Sequence, residues 1–204
     1  MKKYRFFSLF LALLLFAGIL PPAYAIEDIN IDARCALLMD ANYDEVLYAK
    51  NTDVRAAPAS ITKVMTALLT VEAIERGDLS LGTVITASEA AASIPPGSST
   101  SNIVAGEQMT VEDLLYCLML PSANEAAQIL AEAVSGSIPE FVELMNRRAR
   151  ELGCQSTHFM NAHGFDEEGH YTTARDIYIF SKEAFRHEIF RTVVYPSVHK
   201  VPAT

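Results

Sequence analysis

The stretch PASITKVMTALL, residues 58–69, predicts a buried helix that carries one unexpected charge. Its apolar character continues to residue 71 and is interrupted by a thin stripe of threonines, and Gly77 marks the expected end of the helix. Between residues 59 and 71 the only ionisable side chain is Lys63. A helix that is apolar on nearly all sides belongs in a protein core. We therefore predict a central helix over residues 59–76 with an enclosed lysine near its start.

Ser60 lies three residues before Lys63, which places both side chains on one face of this helix. A serine hydroxyl becomes a nucleophile when a base removes its proton, and burial lowers the pKa of a lysine so that it can be that base. The free N–H groups at a helix start also favour a developing anion. The spacing alone fits equally well a capping serine beside a lysine that reaches solvent. Ser-x-x-Lys occurs again at Ser197–Lys200, where no helix is predicted, so the pattern by itself leaves both interpretations open.

A second candidate group is Ser122-Ala123-Asn124, which follows Pro121 between two predicted helices. In a tight turn the hydroxyl of Ser122 and the carboxamide of Asn124 can face the same cleft. The hydroxyl could then pass protons while the carboxamide holds a substrate carbonyl. Because serine and asparagine also favour helix starts, simple capping is the alternative interpretation.

Strand and helix patterns alternate along the rest of the chain. CALLMD (35–40) and VLYAK (46–50) are two β runs joined by a polar turn, which predicts a hairpin. VITAS (84–88) predicts a short strand, and residues 93–108 and 158–171 are predicted as loops. Three capping patterns predict further helices: Thr110 with Asp113, Ser137 with Glu140 and Thr173 with Asp176. These helices are expected before Pro121 and at residues 124–134, 137–153 and 173–187.

The first 25 residues are typical of a secretory signal peptide. A basic start, MKKYRF, precedes an apolar run, and AYA at residues 23–25 fits a signal peptidase site. The run is short for a membrane span and ends at the prolines of residues 21–22, which favours cleavage over a retained anchor. Residues 26–204 are then expected to act outside the cytoplasm.

Composition excludes several classes of partner and cofactor. The formal net charge is −9, and it becomes about −12 without the predicted leader, which holds two lysines, one arginine and no acid. Because a protein of this charge repels phosphates, no binding to nucleic acid is predicted. Cys35, Cys117 and Cys154 are too few and too scattered for a disulfide framework and are expected in the core. No Cys/His cluster has the spacing of metal ligands, and no metal or other cofactor is predicted.

Three stretches taken together resemble a known family: PASITK (58–63), GEQMTVEDLLYCLMLPSANEAA (106–127) and HFMNAHGFDEEGHYTTARD (158–176). They are similar to the low-molecular-mass penicillin-binding proteins, which are serine-type D-alanyl-D-alanine carboxypeptidases of the penicillin-recognising superfamily. The resemblance runs from about residue 33 to about residue 191. It implies an α+β fold of the β-lactamase/DD-peptidase type, a helical cluster packed on an antiparallel sheet, of which only the N-terminal strands are present here.

The resemblance also implies a role for each candidate site residue. Ser60 would be the acyl nucleophile, Lys63 the general base, Ser122 the proton relay and Asn124 the residue that orients the substrate amide. The implied substrate is the pentapeptide stem of peptidoglycan, from which the terminal D-alanine is removed, and β-lactam antibiotics would be covalent inhibitors. The implied location is the periplasm or the outer face of the cytoplasmic membrane. Membrane association is expected only through a C-terminal anchor that this chain lacks.

The chain departs from the family pattern in two places. Ala123 and Glu125 stand where family members usually have Gly and Asp, an exchange that keeps Asn124 and is expected to be tolerated. No Lys-Thr-Gly or Lys-Ser-Gly occurs anywhere in the chain, although the family closes its site with such a strand. We therefore interpret residues 26–204 as a catalytic domain that is incomplete at its C-terminus, with poor turnover expected.

The motifs leave two alternative functions and one residue, His163, to be considered. A class A β-lactamase is disfavoured because Ala123 replaces the Asp of its Ser-Asp-Asn motif and no Glu-x-x-x-Asn occurs in the loop of residues 158–171. A non-catalytic module that binds peptidoglycan or penicillin remains open. His163 stands in a family loop motif, but no Ser/His/acid arrangement is visible, and we interpret it as structural.

Overall fold

The central helix forms where the sequence predicts it. The computed structural model describes residues 31–202, so the predicted leader lies outside the described residues. A 3-10 turn, Ala59–Ile61, leads into helix α1, Thr62–Arg76, and Gly77 ends the helix in a left-handed conformation with φ of 84°. Two thirds of the residues of α1 are buried, Lys63 included, which is the burial expected for a helix enclosed by other elements.

The predicted hairpin is present. Strand β1, Ala36–Asp40, pairs antiparallel with β2, Glu45–Lys50, with an irregularity in register after Leu38. The carboxylate of Asp40 accepts a hydrogen bond from the backbone N–H of Asn42 at 2.9 Å, which closes the turn. Leu38 and Leu47 remain about half exposed, so this two-stranded sheet buries only part of its apolar surface.

A second small sheet confirms the strand expected at residues 84–88. Its other strand begins at the last residue of the loop predicted at residues 93–108, and the rest of that loop forms no helix or strand. The expected strand is β3, Val84–Thr86, and it pairs antiparallel with a strand β4, Gln108–Thr110, that the sequence pattern did not predict. Between them lies a short helix α2, Glu89–Ala92, capped by the hydroxyl of Ser88. Three residues are too few to show an alternating pattern, and β4 exists because β3 offers it a partner more than 20 residues earlier in the chain.

Helices α3 and α5 follow their capping patterns, whereas α4, which lies between them in the chain, starts without a side-chain cap. Their ranges are Val111–Met119 for α3, Asn124–Ser135 for α4 and Ile138–Leu152 for α5. The hydroxyl of Thr110 accepts from the N–H of Asp113 at 3.1 Å, and the hydroxyl of Ser137 accepts from the N–H of Glu140 at 3.3 Å. Each bond satisfies one of the free N–H groups of a helix start, as the predicted capping motifs require.

The predicted last helix is two helices. Helix α6, Ala174–Ala184, begins at its Thr173 cap as expected but ends before residue 187, and α7, Glu188–Val194, starts after a turn. The guanidinium of Arg191 donates to the carbonyl oxygens of Phe185 and Arg186 at 2.6 and 2.8 Å. The exposed carbonyls that this break leaves without helical partners are therefore satisfied by a side chain from the next helix.

Helix α1 lies at the centre of the helical cluster. It contacts α3, α4, α5, α6 and α7, while the hairpin contacts α6. The core between these helices includes fully buried Phe141, Phe159 and Phe180. Of the predicted core cysteines, Cys117 and Cys154 are buried and Cys35 is half-buried, and all three are free thiols. Within residues 31–202 no helix combines the length and the apolar character that crossing a bilayer requires.

Candidate active site

Ser60 stands in the 3-10 turn before α1, exposed at the rim of a small cavity. The cavity has a volume of about 150 Å³. Its lining comes from the serine turn, a loop that precedes β4, the start of α4 and a loop that precedes α6: Ala59, Ser60, Gly97, Ser98, Ser99, Asn124, His163, Gly164 and Phe165. A larger groove of about 530 Å³ lies beside α3 and the segment 197–202, and it contains none of Ser60, Lys63 and Asn124.

Lys63 is enclosed and connects three parts of the site. Its side chain is only 2% exposed. The ammonium donates to Ser60 Oγ at 3.2 Å, to Asn124 Oδ1 at 2.7 Å and to the carbonyl oxygen of His163 at 2.8 Å. Burial lowers the pKa of Lys63 from 10.5 to about 8, against the opposing effect of the negative charge of Glu125. The predicted contact between Ser60 and an enclosed lysine of lowered pKa is thus present.

The threonine stripe of α1 anchors the loop of residues 158–171 beside Lys63. Thr66 donates to the carbonyl oxygen of Ala162 at 2.6 Å. Thr62 Oγ1 and His170 Nε2 are 2.9 Å apart, and because His170 Nδ1 accepts from the N–H of Met160, its Nε2 carries the proton and donates to Thr62. The threonine stripe therefore holds in place the loop whose His163 carbonyl oxygen accepts a hydrogen bond from Lys63.

Gly164 packs directly against the backbone of the serine turn. Its φ is +91°, and a Cβ built at this position would lie 1.8 Å from the carbonyl oxygen of Ala59. Ala59 itself has a positive φ of 48°. Only a glycine lets the loop approach this closely, and the approach presses the loop against the turn that carries Ser60.

His163 takes part through its backbone and its neutral ring. Its carbonyl oxygen accepts from Lys63, and its Nδ1 accepts from the N–H of Phe165 at 3.0 Å. Burial first, and then the nearby charge of Lys63, lower the pKa of His163 to about 4. The ring is therefore uncharged near neutral pH and is engaged in the loop, which agrees with a structural role.

Asn124 is the first residue of α4 and joins Lys63 to the loop that precedes β4. Its Oδ1 accepts from Lys63, and its backbone N–H donates to the carbonyl oxygen of Ser99 at 2.9 Å. Ser122 has a left-handed φ of 65°, and its Oγ is buried without a hydrogen-bond partner in the part of the chain that the structure describes. The structure thus brings Ser60, Lys63 and Asn124 together through hydrogen bonds, whereas no hydrogen bond connects Ser122 to them.

Glu125 is a site neighbour that the sequence reasoning treated only as a departure from a motif. It is fully buried, and its Oε1 accepts from the hydroxyl of Thr100 at 2.7 Å and from the N–H groups of Ser101 and Ile103 at 2.6 and 3.3 Å. The signal that could have identified it is the one that identified Lys63, a single charged residue in an otherwise apolar stretch. Such a charge is buried only where it has partners.

A separate cluster of ionisable groups lies away from the cavity. Glu72, Glu183 and His187 offer ligand atoms within 4.8 Å of one another, an arrangement across α1 and the end of α6 that spacing in the sequence could not indicate. Arg148 donates to Glu72 Oε1 at 2.7 Å and lies 3.5 Å from Glu183 Oε1. The guanidinium already occupies these carboxylates, and the cluster is an ion-pair network between helices.

Comparisons with known proteins identify the family to which this chain is similar. A family model described as D-alanyl-D-alanine carboxypeptidase matches residues 22–201. The carboxypeptidase DacF of Bacillus subtilis is 41% identical over 82% of this chain and 44% of its own length. DacC of Escherichia coli is 36% identical over 83% of this chain and 44% of its own length. The chain thus spans less than half the length of these curated relatives.

Solved structures show the same likeness in three dimensions. The D-alanyl-D-alanine carboxypeptidase DacD from Francisella tularensis superposes with a TM-score of 0.79 at 34% identity, covering 87% of this chain and 43% of that one. Penicillin binding protein 6B from Escherichia coli superposes with a TM-score of 0.79 at 30% identity, covering 84% and 56%. These neighbours confirm the expected DD-peptidase fold class. Since the family model matches residues 22–201, well over half of the chain, the chain belongs to the D-alanyl-D-alanine carboxypeptidase family.

Proposed function

We propose that the protein is a serine acyl-enzyme peptidase that removes the terminal D-alanine from the pentapeptide stems of peptidoglycan. The observation that supports this best is the position of Lys63 Nζ, enclosed between Ser60 Oγ and Asn124 Oδ1. An amine of lowered pKa beside a serine at a helix start is the arrangement that nucleophilic catalysis needs. Membership of the family supports the substrate class.

The first step of the proposed reaction is acylation of Ser60. At pH 7 a lysine with a pKa of about 8 is uncharged in about one molecule in ten. In that state Lys63 keeps its two shorter bonds, to Asn124 and His163, and directs its lone pair at Ser60. The Ser60 proton passes to Lys63 while its oxygen bonds to the carbonyl carbon of the penultimate D-alanine. The oxyanion forms beside the N–H groups of the helix start.

The second part of the reaction releases the products. The tetrahedral intermediate loses the terminal D-alanine as the C–N bond breaks, and the leaving amine takes the proton held by Lys63. We propose that Ser122 carries this proton and that Asn124 orients the amide. Water then attacks the ester, Lys63 accepts the water's proton, and Ser60 regains its hydrogen as the shortened peptide leaves.

The same site would react with penicillin, which carries a strained amide. The β-lactam carbonyl would acylate Ser60, the ring nitrogen would take the proton, and the product would be a covalent ester. Because residues 1–25 are typical of a leader, we further propose export and action on the wall side of the cytoplasmic membrane, with a role in wall maturation and cell shape. We also propose that any attachment to the membrane is made by a C-terminal anchor beyond these 204 residues.

Fluorescent penicillin tests the nucleophile directly. In the full-length gene product, Ser60→Ala should abolish covalent labelling, since it removes the hydroxyl that contacts Lys63. Ser197→Ala removes the serine of the second Ser-x-x-Lys match and should leave labelling unchanged. Labelling that persists in Ser60→Ala would refute the assignment.

Product analysis separates the proposed activity from its alternatives. Release of D-alanine from a pentapeptide identifies a carboxypeptidase. Fast hydrolysis of penicillin without D-alanine release identifies a β-lactamase. Labelling with neither turnover identifies a binding module.

A further inference from the structure

The side chain of Glu125 holds one wall of the cavity in place. The wall is the loop of residues 97–103, of which Gly97, Ser98 and Ser99 line the cavity. Three donors of this loop, the Thr100 hydroxyl and two backbone N–H groups, converge on a single oxygen of Glu125. A carboxylate that accepts several donors in a buried setting makes strong hydrogen bonds, and removing it would leave each donor without a partner.

The residue before Glu125 also binds this loop. Glu125 follows Asn124 in the first turn of α4, and the Asn124 N–H donates to the carbonyl oxygen of Ser99 in the same loop. Ser98 lines the cavity, and its Oγ is buried without a hydrogen-bond partner among the residues that the structure describes. A buried polar atom without a partner at the edge of a cavity is available to a ligand. The position of the wall therefore decides where that hydroxyl lies relative to Ser60.

Glu125 also acts on Lys63 through its charge. Its negative charge raises the pKa of Lys63, in opposition to burial. From the other side Lys63 faces His163, whose ring is uncharged near neutral pH, with Glu167 and His170 acting on that ring in turn. The second oxygen of Glu125, Oε2, has no hydrogen-bond partner in the described chain.

We infer that Glu125 is a positioning residue of the proposed site, which fixes the wall of residues 97–103 against Asn124 and holds a buried negative charge one residue from the Asn124 side chain that Lys63 contacts. This inference rests on the proposed function for its catalytic meaning. Glu125 then has two separable effects, one on the position of a loop and one on the charge near the base. Each can be measured without turnover.

Two variants separate the charge from the attachment. Glu125→Gln keeps the length and an accepting oxygen but removes the charge, so Lys63 should lose its proton at lower pH. Glu125→Ala removes the acceptor, so the N–H groups of Ser101 and Ile103 should exchange with deuterium faster. Should Glu125→Ala fail to fold, Glu125→Asp takes its place, because a side chain one methylene shorter cannot reach all three donors. Glu132→Gln on the same helix is the matched control, since Glu132 accepts from the Ser88 hydroxyl at 2.7 Å, away from the cavity.

The measurements are the titration of Lys63 by NMR of lysine labelled at Cε, amide exchange in residues 97–103, and the rate of Ser60 acylation by penicillin from pH 6 to 10. In Glu125→Gln we expect both the Lys63 titration and the acylation midpoint to move to lower pH. In Glu125→Ala we expect acylation to slow by about 10- to 100-fold, as for a displacement on the order of 1 Å. Glu132→Gln should match the unmodified protein in all three.

Unchanged Lys63 titration in Glu125→Gln would overturn the statement about charge. Unchanged exchange at Ser101 and Ile103 in the folded Ala or Asp variant would overturn the statement about the wall. If penicillin does not acylate Ser60 in the unmodified protein, the proposed function fails. The titration and the exchange rates would still decide whether Glu125 positions this wall and acts on Lys63.

Discussion

Gly164→Ala offers the sharpest test of how the site is assembled. The new Cβ would lie 1.8 Å from the carbonyl oxygen and 2.5 Å from the carbonyl carbon of Ala59, both backbone atoms. Ordinary contact begins at 3.4 Å, so the oxygen must move from 1.8 to 3.4 Å, a shift of about 1.6 Å. Since Ala59 immediately precedes Ser60, a shift of this size displaces either Ser60 or the loop whose His163 carbonyl oxygen accepts a hydrogen bond from Lys63.

The expected magnitudes follow from two costs. Alanine at a left-handed φ costs about 1–2 kcal/mol, and forcing extra volume into a packed region costs about 1–3 kcal/mol. Gly164→Ala should therefore lower the free energy of unfolding by about 2–5 kcal/mol. Because displacement on the order of 1 Å costs about 100-fold in rate, acylation of Ser60 should slow by at least that factor.

Gly153→Ala is the matched control because it changes φ strain without a clash. Gly153 has φ of +93°, nearly the same as Gly164, but nothing lies within 4 Å of its built Cβ. It should lose only about 1–2 kcal/mol, the cost of the left-handed conformation, and should be acylated at the normal rate. Urea unfolding and the rate of penicillin labelling measure both effects. If the two variants have equal stability and equal labelling rates, the close approach of the loop does not position Ser60 and the reasoning is wrong.

Three further predictions concern the base and a buried carboxylate. The rate of Ser60 acylation should rise with pH through a midpoint near 8, because Lys63 acts as a base only after losing its proton. Lys63→Arg should be unreactive at every pH, since a guanidinium does not lose its proton in this range. An acylation rate that is independent of pH from 6 to 10 would contradict this. The same lowered pKa predicts that the stability contributed by neutral Lys63 is complete above pH 10.5 and is lost as the pH falls to about 8, which urea unfolding at several pH values would detect. Asp176→Ala should lower the free energy of unfolding by about 2–4 kcal/mol, because this buried carboxylate accepts from the N–H of Ser156 and the hydroxyl of Thr157, both at 2.7 Å. Asp166 lies in an exposed loop, so Asp166→Ala should change the free energy of unfolding by less than about 0.5 kcal/mol.

Local patterns in the sequence determined most of the secondary structure. The caps at Ser137 and Thr173 placed two helix starts correctly, and Gly77 and Gly153 placed two helix ends. These signals work from sequence because a cap bonds to an N–H only a few residues away, whatever the rest of the chain does. The i, i+3 spacing of Ser60 and Lys63 could be read in the same way, since it depends only on helix geometry.

The tertiary structure alone decided the features that depend on distant partners. Strand β4 exists because β3 pairs with it, and the break between α6 and α7 is satisfied by a side chain of the second helix. The sequence indicated that Lys63 is buried, but not that its partners are Asn124 and the carbonyl oxygen of His163, which are 61 and 100 residues away. Gly164 looked like one glycine among several until the fold pressed it against Ala59.

Glu125 shows the physical reason for this division. Its neighbours in the sequence say that a charge stands in an apolar helix, and burial without partners would be prohibitively costly. They do not say which donors satisfy it, because those donors belong to a loop about 25 residues earlier whose path is set by packing against α4. The sequence alone thus indicated which residues belong to the site, namely Ser60, Lys63 and Asn124. The close packing of distant segments decided which groups surround Lys63 and Glu125, and the effect of a buried charge depends on what surrounds it in space.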